Sequence, residues 1–186
     1  MMTGVAGVLI NTVFSGFGGQ GVLMMGYVLA VSAMRMGKNV TYLPSYGAEV
    51  RGGTANCTIA VADEEIASPV ASSPEFVVVM NEPSLRLFEN AVQSGGGLFI
   101  NSSMVNNYRP LRGDIETYEV PANELVQDLG HERLANMVML GAYLEKTKLV
   151  TLEAIDSALE EVFVGKGKAI VIQNQKALRL GYDYLR

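Results

Sequence analysis

Cysteine, histidine and tryptophan are nearly absent from this sequence: its 186 residues include one cysteine, one histidine and no tryptophan. The single cysteine, Cys57, excludes an internal disulfide. It also excludes an iron–sulfur cluster held by this chain alone, because such a cluster typically takes four thiolate ligands. His131 has no second histidine with which to share a metal, and no Ser-His-Asp or Cys-His set suggests an activated nucleophile. We therefore predict neither a catalytic residue nor a metal ligand in this chain.

Charged residues are scarce too, at 18% of the chain against roughly 25% in an average protein. This deficit indicates either a broad face that meets another protein or a large core built around parallel strands. The net charge is −5 and no block of Lys or Arg occurs, so the clustered cations that nucleic acids require are missing. The longest apolar run, residues 22–34, is too short to span a bilayer. No Lys or Arg precedes Arg35, so the charged start of a secretory signal is missing and the cytoplasm is the expected location.

Alternating strand and helix patterns run along the chain. Short apolar runs rich in β-branched residues predict strands, and Gly37 and Pro83 fit the end of one helix and the first turn of another. Predicted strands are residues 8–14, 40–43, 54–61, 76–80, 98–101 and 116–120. Predicted helices are residues 22–36, 83–92, 122–129, 133–146, 152–163 and 169–184. This alternation favours an α/β fold: an open, mostly parallel, Rossmann-like sheet flanked by helices, with a helical carboxyl-terminal half.

No repeat or linker divides the chain, so we expect one domain over residues 1–186. Its opening strand, helix and strand predict a βαβ unit with a right-handed crossover. The apolar helical stretch at residues 137–144 is either a buried core helix or a subunit contact.

A glycine-rich loop separates the first strand from the first helix and matches the G-x-G-x-x-G pattern. Glycines allow close approach to a ligand, and the free N–H groups of a helix start attract an anion. A dinucleotide site also needs an acid after the second strand, but none occurs before Glu49, so a phosphate or pyrophosphate contact is favoured over NAD or FAD. The remaining alternative is a turn needed only for packing. The candidate ligand-binding residues of this loop are Gly16, Gly18, Gly19, Gln20 and Gly21.

A second loop, after the second strand, collects special residues between residues 44 and 56. Because the carboxyl ends of parallel strands share one edge, we expect this loop beside the first one. Arg51 offers a planar fork to a phosphate or carboxylate; the alternative is a local surface pair with Glu49. The candidate residues here are Ser45, Tyr46, Glu49, Arg51, Gly52 and Gly53, joined by Asn81 at the end of the fourth strand. Asn81 either touches a ligand or caps the helix that follows.

Several segments together resemble the gamma subunits of 2-oxoacid:ferredoxin oxidoreductases, of the pyruvate/ketoisovalerate oxidoreductase gamma type. They run in order over residues 12–182 and include GFGGQGV at 16–22, LPSYG at 43–47, RGGTANC at 51–57, MN at 80–81 and NMVMLG at 136–141. The variant they resemble most is found in 2-oxoglutarate or branched-chain 2-oxoacid enzymes, so 2-oxoglutarate is the expected substrate of the complex.

The resemblance implies a supporting subunit. Such enzymes decarboxylate a 2-oxoacid on thiamine diphosphate, pass electrons through iron–sulfur clusters to ferredoxin and release an acyl-CoA. This chain lacks the Gly-Asp-Gly and Asn signature for thiamine diphosphate and its magnesium. The resemblance therefore assigns those groups to alpha, beta and ferredoxin-like partner subunits, with no cofactor bound tightly by this chain alone. It also implies a contact with coenzyme A, whose phosphates we expect at residues 16–21 with Arg51 as a second contact.

Two other functions remain open from the residues alone. One is a stand-alone NAD(P)-dependent oxidoreductase, which the glycine pattern favours and the missing acid disfavours. The other is a non-catalytic nucleotide-binding module. The sequence leaves open whether the isolated chain forms a homodimer.

Overall fold

The computed structural model describes residues 8–46 and 53–186. Its strands are β1 (Leu9–Phe17), β2 (Asn39–Tyr46), β3 (Thr54–Ala62), β4 (Phe76–Val79), β5 (Gly97–Asn101) and β6 (Glu116–Val120). Its α-helices are α1 (Val22–Arg35), α2 (Glu82–Phe88), α3 (Ala122–Leu125), α4 (Ala135–Thr147), α5 (Leu152–Val162) and α6 (Lys168–Tyr184). Short 3₁₀ turns occupy Glu89–Ala91, Gln127–Leu129 and Glu132–Leu134. Every predicted strand and helix is present, with boundaries shifted by a few residues.

The described strands form one sheet in the order β2-β3-β1-β4-β5-β6. β4, β5 and β6 continue parallel from β1, while β3 runs antiparallel to both β1 and β2. Five of these six strands therefore point the same way, which confirms a mostly parallel α/β sheet. β1 and β2 are parallel and joined through α1, as expected of the opening βαβ unit, but β3 lies between them in the sheet.

The two faces of the sheet carry separate apolar cores. On one face, Phe14 of β1 packs with Met25 of α1 and with buried side chains of α4, α5 and α6. On the other face, Val13 of β1 packs with Leu85 of α2 and the segment around Val105. Neighbouring residues of a strand point to opposite faces, so Val13 and Phe14 assign one helix layer to each side. No helix among the described residues is long and apolar enough to cross a membrane.

Helix α4 is buried along almost its whole length, which assigns residues 137–144 to the core. Its backbone contacts that of α6 through two glycines. A Cβ built on Gly141 would lie 1.9 Å from the Leu178 carbonyl oxygen, and one on Gly181 would lie 1.8 Å from the Val138 carbonyl oxygen. The backbones of α4 and α6 can therefore come this close only because Gly141 and Gly181 have no side chain.

This close helix contact predicts a large stability loss for Gly141→Ala. The added methyl group has rigid backbone on its far side, so the helices must separate, and overpacking of this kind typically costs about 1–3 kcal/mol. Chemical denaturation of the variant should show that loss in the free energy of unfolding. Gly113→Ala is the matched control, because a Cβ at Gly113 meets nothing within 4 Å. Equal stability of both variants would contradict the proposed contact.

Candidate functional site

A crevice opens at the carboxyl ends of β1 and β4, which are parallel neighbours in the sheet. The chain leaves β1 for α1 on one face and leaves β4 for α2 on the other. Connections that depart to opposite faces leave a gap between the strand ends, and ligands of open α/β sheets bind at such positions. The predicted glycine loop lies at this point.

Two glycines of the loop are required by close packing. A Cβ on Gly16 would lie 2.8 Å from Gln20 Oε1 and 3.0 Å from Met80 Cβ, so the loop can close against the end of β4 only without a side chain. Gly21 has φ 74°, in the left-handed region that favours glycine. Its missing side chain admits Asn136 of α4, whose Nδ2 donates to the Gly21 carbonyl at 3.2 Å. The packing role considered from the sequence thus applies to these two positions.

Gly18 differs from its neighbours in the loop. A Cβ added there would meet nothing within 4 Å, so packing does not explain the glycine. The Gly18 N–H donates to the Gly53 carbonyl at 3.2 Å, which joins the glycine loop to the returning end of the second loop. Gly18 also shares a cleft of about 320 Å³ with Tyr46 and Ala55. The expected proximity of the two loops therefore holds for the residues that the structure describes.

The remaining predicted residues of the second loop divide into two groups. Ser45 and Tyr46 end β2 at the same sheet edge, and both are exposed. Glu49, Arg51 and Gly52 lie outside the described residues. Their predicted contacts with a ligand stay predictions.

A network of amide side chains forms the floor of the crevice. Gln20 Oε1 accepts from the Phe17 N–H and from Asn81 Nδ2, both at 2.7 Å. The Met80 carbonyl accepts from the side-chain amides of Gln20 and Asn101, each at 3.5 Å. Asn101 in turn donates to Asn123 Oδ1 at 2.9 Å. The ends of β1, β4 and β5 and the start of α3 are thereby tied together by polar groups, which fixes the shape of the crevice.

Asn81 contributes to this network from a buried position. Its Oδ1 accepts from the Ser84 N–H at 3.0 Å, which caps α2, while its Nδ2 supports Gln20. Only 2% of Asn81 is exposed. The structure thus gives it the capping role, and its direct contact with a ligand stays a prediction.

Arg133 brings a cation to the crevice. It precedes α4 and lines a cleft of about 240 Å³ with Gly19, Gln20, Met104 and the neighbouring acid Glu132. The Arg133 guanidinium is a planar donor suited to phosphate or carboxylate. It lies near the amino end of α1, where helical N–H groups lack intrahelical acceptors and the helix dipole is positive, and the first turn of α1 contains no acid. The start of α1 and Arg133 therefore favour an anion, while Glu132 in the same cleft offsets part of that positive charge.

Sequence reasoning missed Arg133, Asn101, Asn123 and Met104. Asn101 carried a usable signal, because it ends a predicted buried strand at the edge where such sites form. Arg133 carried none, since its segment is more than a hundred residues from the glycine loop and nothing local indicates where that segment packs.

The same geometry disfavours a dinucleotide site. In the usual arrangement the strand after the first helix is the immediate neighbour of the first strand, and an acid at its end holds a ribose. Here β3 separates β2 from β1, which moves the end of β2 to about 10 Å from β1, two strand spacings away. β2 also ends in Pro44-Ser45-Tyr46 without an acid.

Cys57 is enclosed beneath α1. Its side chain is fully buried, and burial raises the pKa of its thiol from 9.0 to about 12. The sequence-based interpretation of Cys57 as a small buried apolar residue is confirmed. Among the described residues, no group of three His, Cys, Asp or Glu side chains comes together in a way that could hold a metal ion.

Comparisons with known proteins agree on one family. The family model described as pyruvate ferredoxin/flavodoxin oxidoreductase matches residues 11–184. The ketoisovalerate oxidoreductase subunit VorA of Methanothermobacter thermautotrophicus is 35% identical over 95% of this chain, which spans 36% of VorA. The 2-oxoglutarate synthase subunit KorC of Methanothermobacter marburgensis is 34% identical, over 78% of this chain and 82% of KorC.

A solved structure has the same fold over nearly the whole chain. It is the gamma subunit of a keto/oxoacid ferredoxin oxidoreductase from Geobacter sulfurreducens, 28% identical, with a TM-score of 0.79. The match covers 95% of this chain and 98% of that one. The chain therefore corresponds in length to a gamma subunit and to about a third of VorA.

The raised pKa of Cys57 predicts an unreactive thiol. Below pH 9 both folded and unfolded chains keep it protonated; above pH 9 only the unfolded chain ionises, so the free energy of unfolding falls as pH rises towards 12. At pH 10 this amounts to about 1.4 kcal/mol. A thiol reagent at pH 8 should label Cys57 only in denaturant, and Cys57→Ala should lose this part of the decline between pH 8 and pH 10. Labelling of the folded chain at the denatured rate would contradict the burial.

Proposed function

Because the chain belongs to the pyruvate ferredoxin/flavodoxin oxidoreductase family, we propose that it is the gamma subunit of a multi-subunit 2-oxoacid:ferredoxin oxidoreductase. The complex would decarboxylate a 2-oxoacid oxidatively and form an acyl-CoA, with ferredoxin as electron acceptor. The match to an isolated gamma subunit over 98% of its length supports this role more strongly than any other observation.

The composition of the chain supports a non-catalytic part in that reaction. One cysteine cannot ligate an iron–sulfur cluster, and the sequence contains no thiamine diphosphate signature. We assign these groups to alpha, beta and ferredoxin-like partner subunits. In VorA about two thirds of the sequence lies outside the part that matches this chain, which agrees with a gamma-type region working beside further protein.

The substrate expected from the sequence, 2-oxoglutarate, stays a prediction. KorC is named for 2-oxoglutarate and VorA for ketoisovalerate, at nearly equal identity to this chain. The residues of the crevice also do not indicate which 2-oxoacid the complex uses, because we assign the decarboxylating centre to a partner subunit.

We propose further that the crevice at Gly18 and Arg133 receives phosphates of coenzyme A. Gly18 leaves open space at the loop, the start of α1 supplies N–H donors, and Arg133 supplies a cation. The amide network beneath holds Gln20 in place, so the loop is shaped before the ligand arrives. The clefts on either side of Gly19 are small, at about 320 and 240 Å³, which suits a shared site completed by a partner subunit.

Reconstitution tests the subunit role. The purified chain alone, supplied with 2-oxoacid, thiamine diphosphate, coenzyme A and ferredoxin, should form no acyl-CoA. A tagged copy recovered under native conditions should retain the alpha, beta and ferredoxin-like subunits, identified by mass spectrometry. Sustained acyl-CoA production by the single chain would overturn the proposal.

Gly18→Asp tests the coenzyme A contact in the assembled enzyme. A carboxylate in the open space at the loop repels phosphate, and we expect the KM for coenzyme A to rise about tenfold, equivalent to about 1.4 kcal/mol. Arg133→Ala should act in the same direction, with the KM for the 2-oxoacid unchanged in both variants. Gly18→Ala, which fits the open space, and Gly113→Asp, which puts the same charge at another open glycine, are the controls. An unchanged KM for coenzyme A with assembly intact would remove the contact and leave the subunit role standing.

A further inference from the structure

The crevice consists of two clefts that meet at Gly19, which lines both of them. The Gly19 N–H donates to no backbone carbonyl of the described residues. Its φ of 100° is a conformation that favours glycine, and a Cβ there would meet nothing within 4 Å. An elongated ligand can therefore cross from one cleft to the other over bare backbone.

The first cleft, of about 320 Å³, presents an aromatic ring to solvent. Tyr46 lines this cleft and is 72% exposed, more than any other aromatic side chain that the structure describes. Tyr42, four residues earlier in β2, is held quite differently. Its hydroxyl donates to the Leu23 carbonyl at 3.2 Å, and its ring packs edge-on against Tyr27. Within the described part of the chain Tyr46 has neither kind of partner, so its ring offers a surface for stacking.

The rest of the first cleft suits a flat, uncharged ring. No charged residue lines it among those described, and its other walls are glycines and the apolar residues Phe17, Val22, Leu23, Met24 and Ala55. Nucleic-acid bases stack on aromatic side chains through their π-faces, without any need for polar contacts to the edge of the base. The first cleft is therefore suited to a purine.

The second cleft, of about 240 Å³, has a different chemistry. Met80 and Met104 line it, and their flexible thioethers adapt to alkyl groups. Asn123 accepts from Asn101 through its Oδ1, which leaves its Nδ2 as a donor, and Glu132 adds a carboxylate acceptor. Apolar surface together with a donor and an acceptor is what a chain of alkyl segments and amides requires.

Glu132 also disfavours the nucleotide end of coenzyme A in this second cleft. The 3′-phosphate at that end carries nearly two negative charges at pH 7, and like charges brought together weaken binding. The pantetheine arm is uncharged and contains two amides, so the acid can accept from it without repulsion. Arg133 lines the same cleft as Gly19, where it can meet the pyrophosphate that joins the two ends.

Resting on the proposed coenzyme A contact, we infer that the coenzyme lies across Gly19, with its adenine stacked on Tyr46 and its pantetheine arm in the cleft of Met80 and Met104. The pyrophosphate then lies between the start of α1 and Arg133. This orientation directs the thiol away from β2 and towards the side of β5 and α4. The decarboxylating partner subunit must therefore approach the crevice from that side.

Calorimetric binding of the two halves of coenzyme A to the assembled complex tests the inference. The nucleotide half is 3′-phosphoadenosine 5′-phosphate, and the arm half is S-methyl 4′-phosphopantetheine. Tyr46→Ala should raise the Kd of the nucleotide half at least about fivefold, the lower end for base–aromatic stacking, and leave that of the arm half unchanged. Met104→Trp fills the second cleft and should raise only the Kd of the arm half. Both variants should weaken the binding of intact coenzyme A.

Tyr46→Phe keeps the ring and should bind the nucleotide half as the parent chain does. Tyr184→Ala and Met34→Trp are the matched controls, because both side chains are exposed and line neither cleft. The reverse pattern, equal effects on both halves or no effect on either would overturn the orientation. If Gly18→Asp still raises the KM for coenzyme A, the proposed contact stands without it; if that variant has no effect either, the contact fails as well.

Discussion

The contact between Asn136 and Gly21 joins the helical part of the chain to the crevice at the carboxyl ends of the strands. The Asn136 amide donates to the Gly21 carbonyl, and any side chain at Gly21 would collide with it. This contact brings the start of α4 against the start of α1. Arg133 lies just before α4. The same contact therefore positions the one cationic side chain that lines the cleft among the described residues. A contact between residues 115 positions apart thus brings Arg133 beside the glycine loop.

The network of amides completes that arrangement from below. Gln20, Asn81, Asn101 and Asn123 come from four separate segments of the chain, yet each satisfies its neighbour's hydrogen-bonding group or that of the Met80 backbone. Buried polar groups must be paired to be tolerated, and a fully paired set rigidifies the backbone around it. The glycine loop can therefore keep one conformation although four of its six residues have no side chain. Such a loop suits ligand contact through backbone groups, where a shift of position would weaken every hydrogen bond at once.

The sequence allowed the fold class and every described strand and helix to be predicted, and the resemblance to gamma subunits is confirmed by the family match. Hydrophobic runs and helix caps are local signals, so Gly37 and Pro83 correctly indicated the end of one helix and the start of another. The direction of β3 was not predictable in that way, because a strand has the same side-chain alternation whichever way it runs. Its position between β1 and β2 depends on tertiary pairing. This position matters for function, since it removes the geometry that a dinucleotide would need.

Only the part of the candidate site formed by the glycine loop and the end of β2 was predictable from the sequence. The glycine loop and the end of β2 carry their signals in short segments, and Gly18, Tyr46 and Gly53 do lie together. The other part is formed by Asn101 at the end of β5 and by Arg133 in the segment before α4. Nothing in the sequence around Arg133 indicates its destination, which is set by how α4 packs on the sheet.

The glycine-to-backbone contact of α4 with α6 has a consequence for biosynthesis. α4 packs against α6 at backbone distance, where Gly181 meets Val138. During translation the sheet strands and the glycine loop emerge first, while α6 emerges about thirty residues after α4. A ribosome-bound chain would therefore carry all the strands of the sheet while the face of α4 that α6 covers is still exposed and open to chaperones until α6 is released.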